Sequence, residues 1–170
     1  GNWATQGGGI ACDYAAGPTI QDNDITGNRA VDPGSPISGE GGAIFCHQAS
    51  PTLLENTITD NTSDRGAGVY LASSWALVED NELSRNSATV SGGAIGINGG
   101  APTVRGNRIR DNTAVGSGGA VYLYVASATI EDNTIASNRC LGPIPSGETP
   151  NTTSAFCVAA APSRNETISD

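Results

Sequence analysis

The chain has 170 residues, enough for one domain, yet its aromatic share is 5% and 23 positions are glycine, so any core must be built from small units. It carries no lysine, only arginine as a fixed cation, and a net charge of -9, which excludes a basic patch able to displace counterions from nucleic acid or to hold anionic lipid by charge. No run approaches the roughly 20 apolar residues of a membrane span, and no basic start leads into an apolar stretch, so the reading is a mature secreted form or an excised piece.

Along the chain a glycine-rich phrase recurs, starting at Gly7, Gly41, Gly66, Gly92 and Gly118, at intervals of 34, 25, 26 and 26 residues. Each phrase opens a run with alternating apolar residues, as in Ile44 and Cys46, Val69 and Leu71, Ile95 and Ile97, and Val121 and Leu123. That period of two marks a half-buried strand. A second strand is expected around Ile20, Leu53, Val78, Val104 and Ile130, and a third around Ile25, Ile58, Leu83, Ile109 and Ile135, each bounded by glycine, proline, asparagine or aspartate. Two asparagine columns share the period: Asn23, Asn56, Asn81, Asn107 and Asn133, then Asn28, Asn61, Asn86, Asn112 and Asn138. Asparagine suits a corner because it tolerates left-handed backbone and, stacked on its own copies, passes amide hydrogen bonds between repeats. Paired glycines suit the remaining sharp bend.

Stacked repeats pair every strand with its copy about 4.8 Å away, which satisfies the backbone between rungs. The expected fold is an all-β, single-chain parallel β-helix of about five to six rungs with three short strands per rung, residues 1–170 forming one module, a segment of a longer secreted protein. A leucine-rich repeat has a compatible period and its own asparagine ladder, but the chain holds only seven leucines and shows no helical half-repeat.

Two insertions, residues 29–40 and 139–153, lengthen the corner after Asn28 and the equivalent corner after Asn138. They read either as tolerated surface loops or as the rim of a functional face. Of the four cysteines, Cys140 and Cys157 bracket the second insertion, and closing that loop of about 18 residues would contribute roughly 3 kcal/mol. Cys12 and Cys46 share an inward column one rung apart, as a second bridge or as two buried thiols. No metal site is expected, because the single His47 has no second histidine nearby. No cofactor is expected either, although a carboxylate column at Asp22, Glu55, Asp80 and Asp132, interrupted by Gly106, leaves three readings open: calcium between rungs, solvated side chains, or acceptors for turn amides.

The alternation of "GGAIFC", "GGAIGI" and "GGAVYL" with "ENTITDN" and "GNRIRDN" resembles the right-handed β-helix repeat proteins of the pectate-lyase-like superfamily. It is also similar to the repeats of polymorphic outer membrane proteins and autotransported adhesins, with Ile or Leu where those carry phenylalanine. The resemblance implies the right hand of the coil, a secreted or cell-surface location, and two functional classes. Pectinolytic members use clustered aspartates and a basic residue on one sheet face; the adhesins present a noncatalytic surface.

The outward positions of the first strand decide between those classes: Ala11 and Asp13, Phe45 and His47, Tyr70 and Ala72, Gly96 and Asn98, Tyr122 and Tyr124. One carboxylate among them cannot reproduce a clustered aspartate site, so no catalytic residue is assigned. Asp13 and His47 sit on neighbouring rungs, as a fragment of acid–base machinery or a plain surface pair. Phe45, Tyr70, Tyr122 and Tyr124 are candidates to stack on sugar rings or to pack under the long loops. The reading is a noncatalytic structural or adhesive module binding glycan or protein at the cell surface, with end-to-end or lateral self-assembly open. The alternative is a polysaccharide lyase or glycoside hydrolase whose missing acids lie elsewhere.

Overall fold

The computed structural model describes residues 1–35 and 38–142 and, as backbone, the strand Phe156–Ala159. The chain winds as a coil in which every strand pairs in parallel with its copy on the next turn, and the described residues contain no helix. The first sheet holds Ile10–Asp13, Ile44–His47, Val69–Ser74, Ile95–Gly100, Val121–Tyr124 and Phe156–Ala159. The second holds Thr19–Gln21, Thr52–Leu54, Leu77–Glu79, Thr103–Arg105 and Thr129–Glu131; the third Asp24–Thr26, Thr57–Thr59, Glu82–Ser84, Arg108–Arg110 and Thr134–Ala136. Register follows the sequence columns, with Val69 opposite Ile95, Val78 opposite Val104 and Leu83 opposite Ile109.

All three strands per rung are present, and a fourth joins them. It runs through Trp3–Ala4, Arg29–Ala30, Thr62–Arg65, Ser87–Ser91, Thr113–Ala114 and Arg139–Cys140, after the second asparagine column. Its inward residues are Ala30, Ser63, Ala88 and Ala114, all buried but too small to give an alternating apolar signal. The fourth side of the coil is therefore lined inwardly by small side chains, whereas the other three carry Ile, Leu and Val.

Like residues stack on like in the core. Leu53, Val78 and Val104 form one fully buried column, and Ile58, Leu83 and Ile109 another. Each such side chain removed from water contributes about 1.5–3 kcal/mol, and the stacking repeats that gain at every rung.

The coil turns by one device at all four corners. Residues with left-handed backbone mark each corner: Gly7, Gly41, Gly66, Gly92 and Gly118 before the first sheet; Tyr14 with Ala15, Gln48, Ser73, Gly99 with Gly100, and Val125 where its strands end; Asp22, Glu55, Asp80, Gly106 and Asp132 after the second; Gly27, Asp60, Arg85, Asp111 and Ser137 after the third. This corrects the role expected of asparagine. Left-handed backbone falls on the residue before each ladder asparagine, and the asparagine supplies the side-chain ladder. At Gly66, with φ of 57°, a Cβ would lie 2.4 Å from Val69 O, so only glycine fits. At Val125, with φ of 49°, a β-branched residue occupies that region at an exposed site. Val125→Asn should raise stability by about 1 kcal/mol, measured as a higher denaturant midpoint with an unchanged slope.

Both insertions leave from the corner between the fourth and first sheets, where the chain departs after Ala30 and after Cys140 and re-enters the first sheet at Ile44 and Phe156. Of the first insertion, Glu40 borders the outer surface of the first sheet.

Candidate functional site

The first sheet's outer surface carries two aligned columns. Ala11, Phe45, Tyr70, Gly96 and Tyr122 are consecutive partners, and so are Asp13, His47, Ala72, Asn98 and Tyr124. The structure brings all six candidate residues onto one face. Phe45 and Tyr70 stack nearly parallel, with ring centroids 6.2 Å apart and planes 5° apart. Tyr70 lies over Gly96, where a Cβ would come within 2.8 Å of its ring, and its hydroxyl accepts a hydrogen bond from Asn98 Nδ2 at 3.4 Å. Both rings are only 4% exposed, so they form a floor. Burial, followed by the charge of Glu40, pushes the Tyr70 phenol up to about 12. The rings open to a ligand are Tyr14, just past the edge strand Ile10–Asp13, and Tyr124, on the fifth strand of the sheet, with Tyr122 half-buried beside Tyr124.

Asp13 Oδ1 and His47 Nδ1 lie 3.4 Å apart, half-exposed, and Tyr14 meets His47 edge-on at 5.3 Å. Two adjoining depressions run along this face. One of about 420 Å³ is lined by Asp13, Tyr14, Glu40, Phe45 and His47, and the next, of about 320 Å³, by Glu40, Arg65, Asn98, Tyr122 and Tyr124. Tyr70 and Asn98 line both. Glu40 and Tyr14 belong to the groove although no sequence column contained them.

Glu40 arrives by a pinned insertion. It pairs with Gln6 on one rung and Arg65 on the other, and accepts a hydrogen bond from Gln6 Nε2 at 3.0 Å. Next to it Gly39 N donates to the buried Asp64 carboxylate at 2.8 Å, and Thr89 Oγ1 donates to the other Asp64 oxygen. Gly39 O in turn accepts from Asp64 N and Arg65 N. Asp64→Ala should therefore lose about 2 kcal/mol, and faster hydrogen exchange at the Gly39 amide, with Asn107 protected as before, would place that loss in the insertion.

On the other faces three arginines pair with acids across a rung. Arg105 pairs with Glu79 at 2.7 Å and Arg110 with Glu82 at 2.6 Å, each across one rung. Arg85 grips Asp60 with two hydrogen bonds of 2.8 and 2.9 Å, which hold the Asp60 carboxyl below its usual range. That exposed pair adds a small stability above the ordinary carboxylate range, lost as pH falls through it.

In the carboxylate column, Asp22, Glu55, Asp80 and Asp132 are corner residues with left-handed backbone, and Glu55 accepts from Gln21 Nε2. Among the described residues no three His, Cys, Asp or Glu side chains converge as a metal would need. Cys12 and Cys46 are opposite partners and both thiols, because side chains in parallel register point the same way. Cys46 donates to Cys12 and is desolvated, which together push its thiol up, while accepting that hydrogen bond draws Cys12 down to about 7. Cys140 Sγ accepts from Gly119 N at 3.2 Å. The side chain of its expected partner Cys157 lies outside the described residues, as do most of the second insertion and the chain end beyond Ala159.

A family model described as a right handed beta helix region matches residues 1–99 and 42–154, two overlapping spans that cover most of the chain. No curated protein and no solved structure matches it.

Proposed function

Because the chain belongs to the right-handed β-helix family, we propose that it is a noncatalytic, extracellular structural or adhesive module whose first sheet presents a glycan-binding groove. The observation that carries this reading is the groove itself: an aromatic floor of Phe45 and Tyr70, exposed Tyr14 and Tyr124 at its ends, and polar groups from Asp13, Glu40, His47 and Asn98 between them. Flat rings with a few convergent polar groups are what sugar recognition requires, whereas on the second and third sheets Arg105 and Arg110 are held by Glu79 and Glu82 across a rung. A secreted or cell-surface location, and a disulfide from Cys140 to Cys157 closing the second insertion, are part of the same reading.

The runner-up, a polysaccharide lyase or glycoside hydrolase, draws on one observation. Asp13, Glu40 and His47 border a single depression, so acid and base groups face a common space. A glycan array followed by incubation of the bound polysaccharides, with and without calcium, separates the two. Binding without release of new chain ends supports the module, and release of unsaturated or reducing ends supports the enzyme. Family membership favours neither, since a fold hosts many chemistries.

A further inference from the structure

We infer that Cys12 and Cys46 form a reversible thiol–disulfide switch for hydroperoxides, in which Cys12 is oxidised first and Cys46 resolves it. The two are register partners on successive rungs, both are thiols, and Cys46 donates its hydrogen bond to Cys12. Their inward column continues as Leu71, Ile97 and Leu123, so the thiols stand side by side in a column that is otherwise aliphatic. They are not equivalent. Cys46 is fully buried, and donating to Cys12 together with desolvation pushes its thiol up, whereas Cys12 is 5% exposed and is drawn down by accepting. Cys12 is therefore the nucleophile, and a peroxide of nearly water size is an oxidant small enough to meet it in a packed core. The Cys12 thiolate attacks one oxygen of hydrogen peroxide, the O–O bond breaks, and the hydroxide released takes up the proton that Cys12 gave to solvent. Cys12 is then a sulfenic acid. The Cys46 sulfur attacks Cys12 Sγ, the S–O bond breaks, and hydroxide leaves as water with the Cys46 proton. Two thiols and one peroxide thus give one disulfide and two waters. Closure has to draw together sulfurs carried on strands about 4.8 Å apart in parallel register, and a bond made against that register is strained and readily reduced by thiols. On the outer face of the same two strands Asp13 and His47 lie 3.4 Å apart, each next in sequence to one of the cysteines. Closing the bridge therefore shifts that end of the first sheet's outer surface.

The test is treatment of the intact folded chain with hydrogen peroxide, followed by alkylation, cleavage after arginine and mass spectrometry. The chain holds no methionine, so the oxidation is read at cysteine. Cleavage after Arg29 puts Cys12 and Cys46 on different peptides, while Cys140 and Cys157 stay on one. The expected product is a linked pair of peptides, lighter than their sum by two hydrogens, that comes apart when the folded protein meets reduced glutathione. Resonances of Asp13 and His47 should shift on closure and return on reduction, with Asn107 unmoved. In Cys46→Ala the oxidation should stop at a Cys12 sulfenic acid that dimedone traps, and in Cys12→Ala the Cys46 thiol should stay unmodified. If neither variant folds, the linked peptides and their reversal in the unsubstituted chain still decide. Survival of both thiols in the folded, peroxide-treated chain overturns the switch, as does a bridge that forms or reduces only in denaturant, or one that leaves Asp13 and His47 unshifted. Sulfenic acid trapped at Cys46 instead of Cys12 overturns the order of attack.

Discussion

Asn107→Ala should destabilise the protein by about 3 kcal/mol, counting the hydrogen bonds lost and the buried partners left unpaired. Asn107 is 1% exposed in the middle of the first ladder. Its Oδ1 accepts from both Asn81 N and Asn81 Nδ2, at 2.9 and 3.0 Å, and its Nδ2 donates to Val78 O, Arg105 O and Asn133 Oδ1. Alanine removes all of these and strands the buried Asn81 N–H. Asn23, at the exposed start of the same ladder, provides the internal comparison: it donates to Asn56 Oδ1 and accepts from no asparagine before it, so Asn23→Ala should lose less than about 1 kcal/mol. Denaturant unfolding measures both; equal effects at the two positions would show that the ladder is not a buried structural element.

Leu83→Ala should be as severe, about 3 kcal/mol with a range of 2–5. Leu83 is fully buried, opposite Ile58 on one rung and Ile109 on the other. The rung backbones are fixed by ladders on both sides, so the void cannot close by moving a strand. In a coil held by nearest-neighbour contacts the loss is felt by both adjoining turns. Calorimetry should show a lower melting temperature with cooperative unfolding retained, and a loss below about 1 kcal/mol would mean that the column has slack to collapse.

These two residues were legible in sequence because repetition makes position informative. The columns of Leu83 and Asn107 recur at a nearly constant spacing, and residues about one rung apart in sequence are touching neighbours in the coil. Features outside the columns were not legible. The fourth strand hides because its inward Ala30, Ala88 and Ala114 are too small to alternate visibly with Ser and Thr. Left-handed backbone one residue before each ladder asparagine hides because Asp, Glu, Arg, Ser and Gly all occupy it. In the groove, Asp13, His47, Tyr70 and Tyr124 followed from strand alternation. Their outward direction was readable, but not that Phe45 and Tyr70 would be buried, since that depends on two rings stacking over Gly96. Glu40 ends an insertion that breaks the period, and Tyr14 lies one residue past its strand, so alternation could place neither. Asp64 carried no signal of its role, which exists only because Gly39 folds back onto the following rung. Asn2 extends the second ladder, with its backbone and side chain both donating to Asn28 Oδ1, although it precedes the first full repeat.

The claim that the first sheet's outer surface is the functional face is tested most directly by mapping amide and side-chain chemical shifts while a binding oligosaccharide is added. Tyr14, His47, Asn98 and Tyr124 should move together and saturate at one ligand concentration, with Arg85, Arg105 and Arg110 on the opposite faces unmoved. Perturbations centred on those arginines, or spread evenly over the coil, would contradict it.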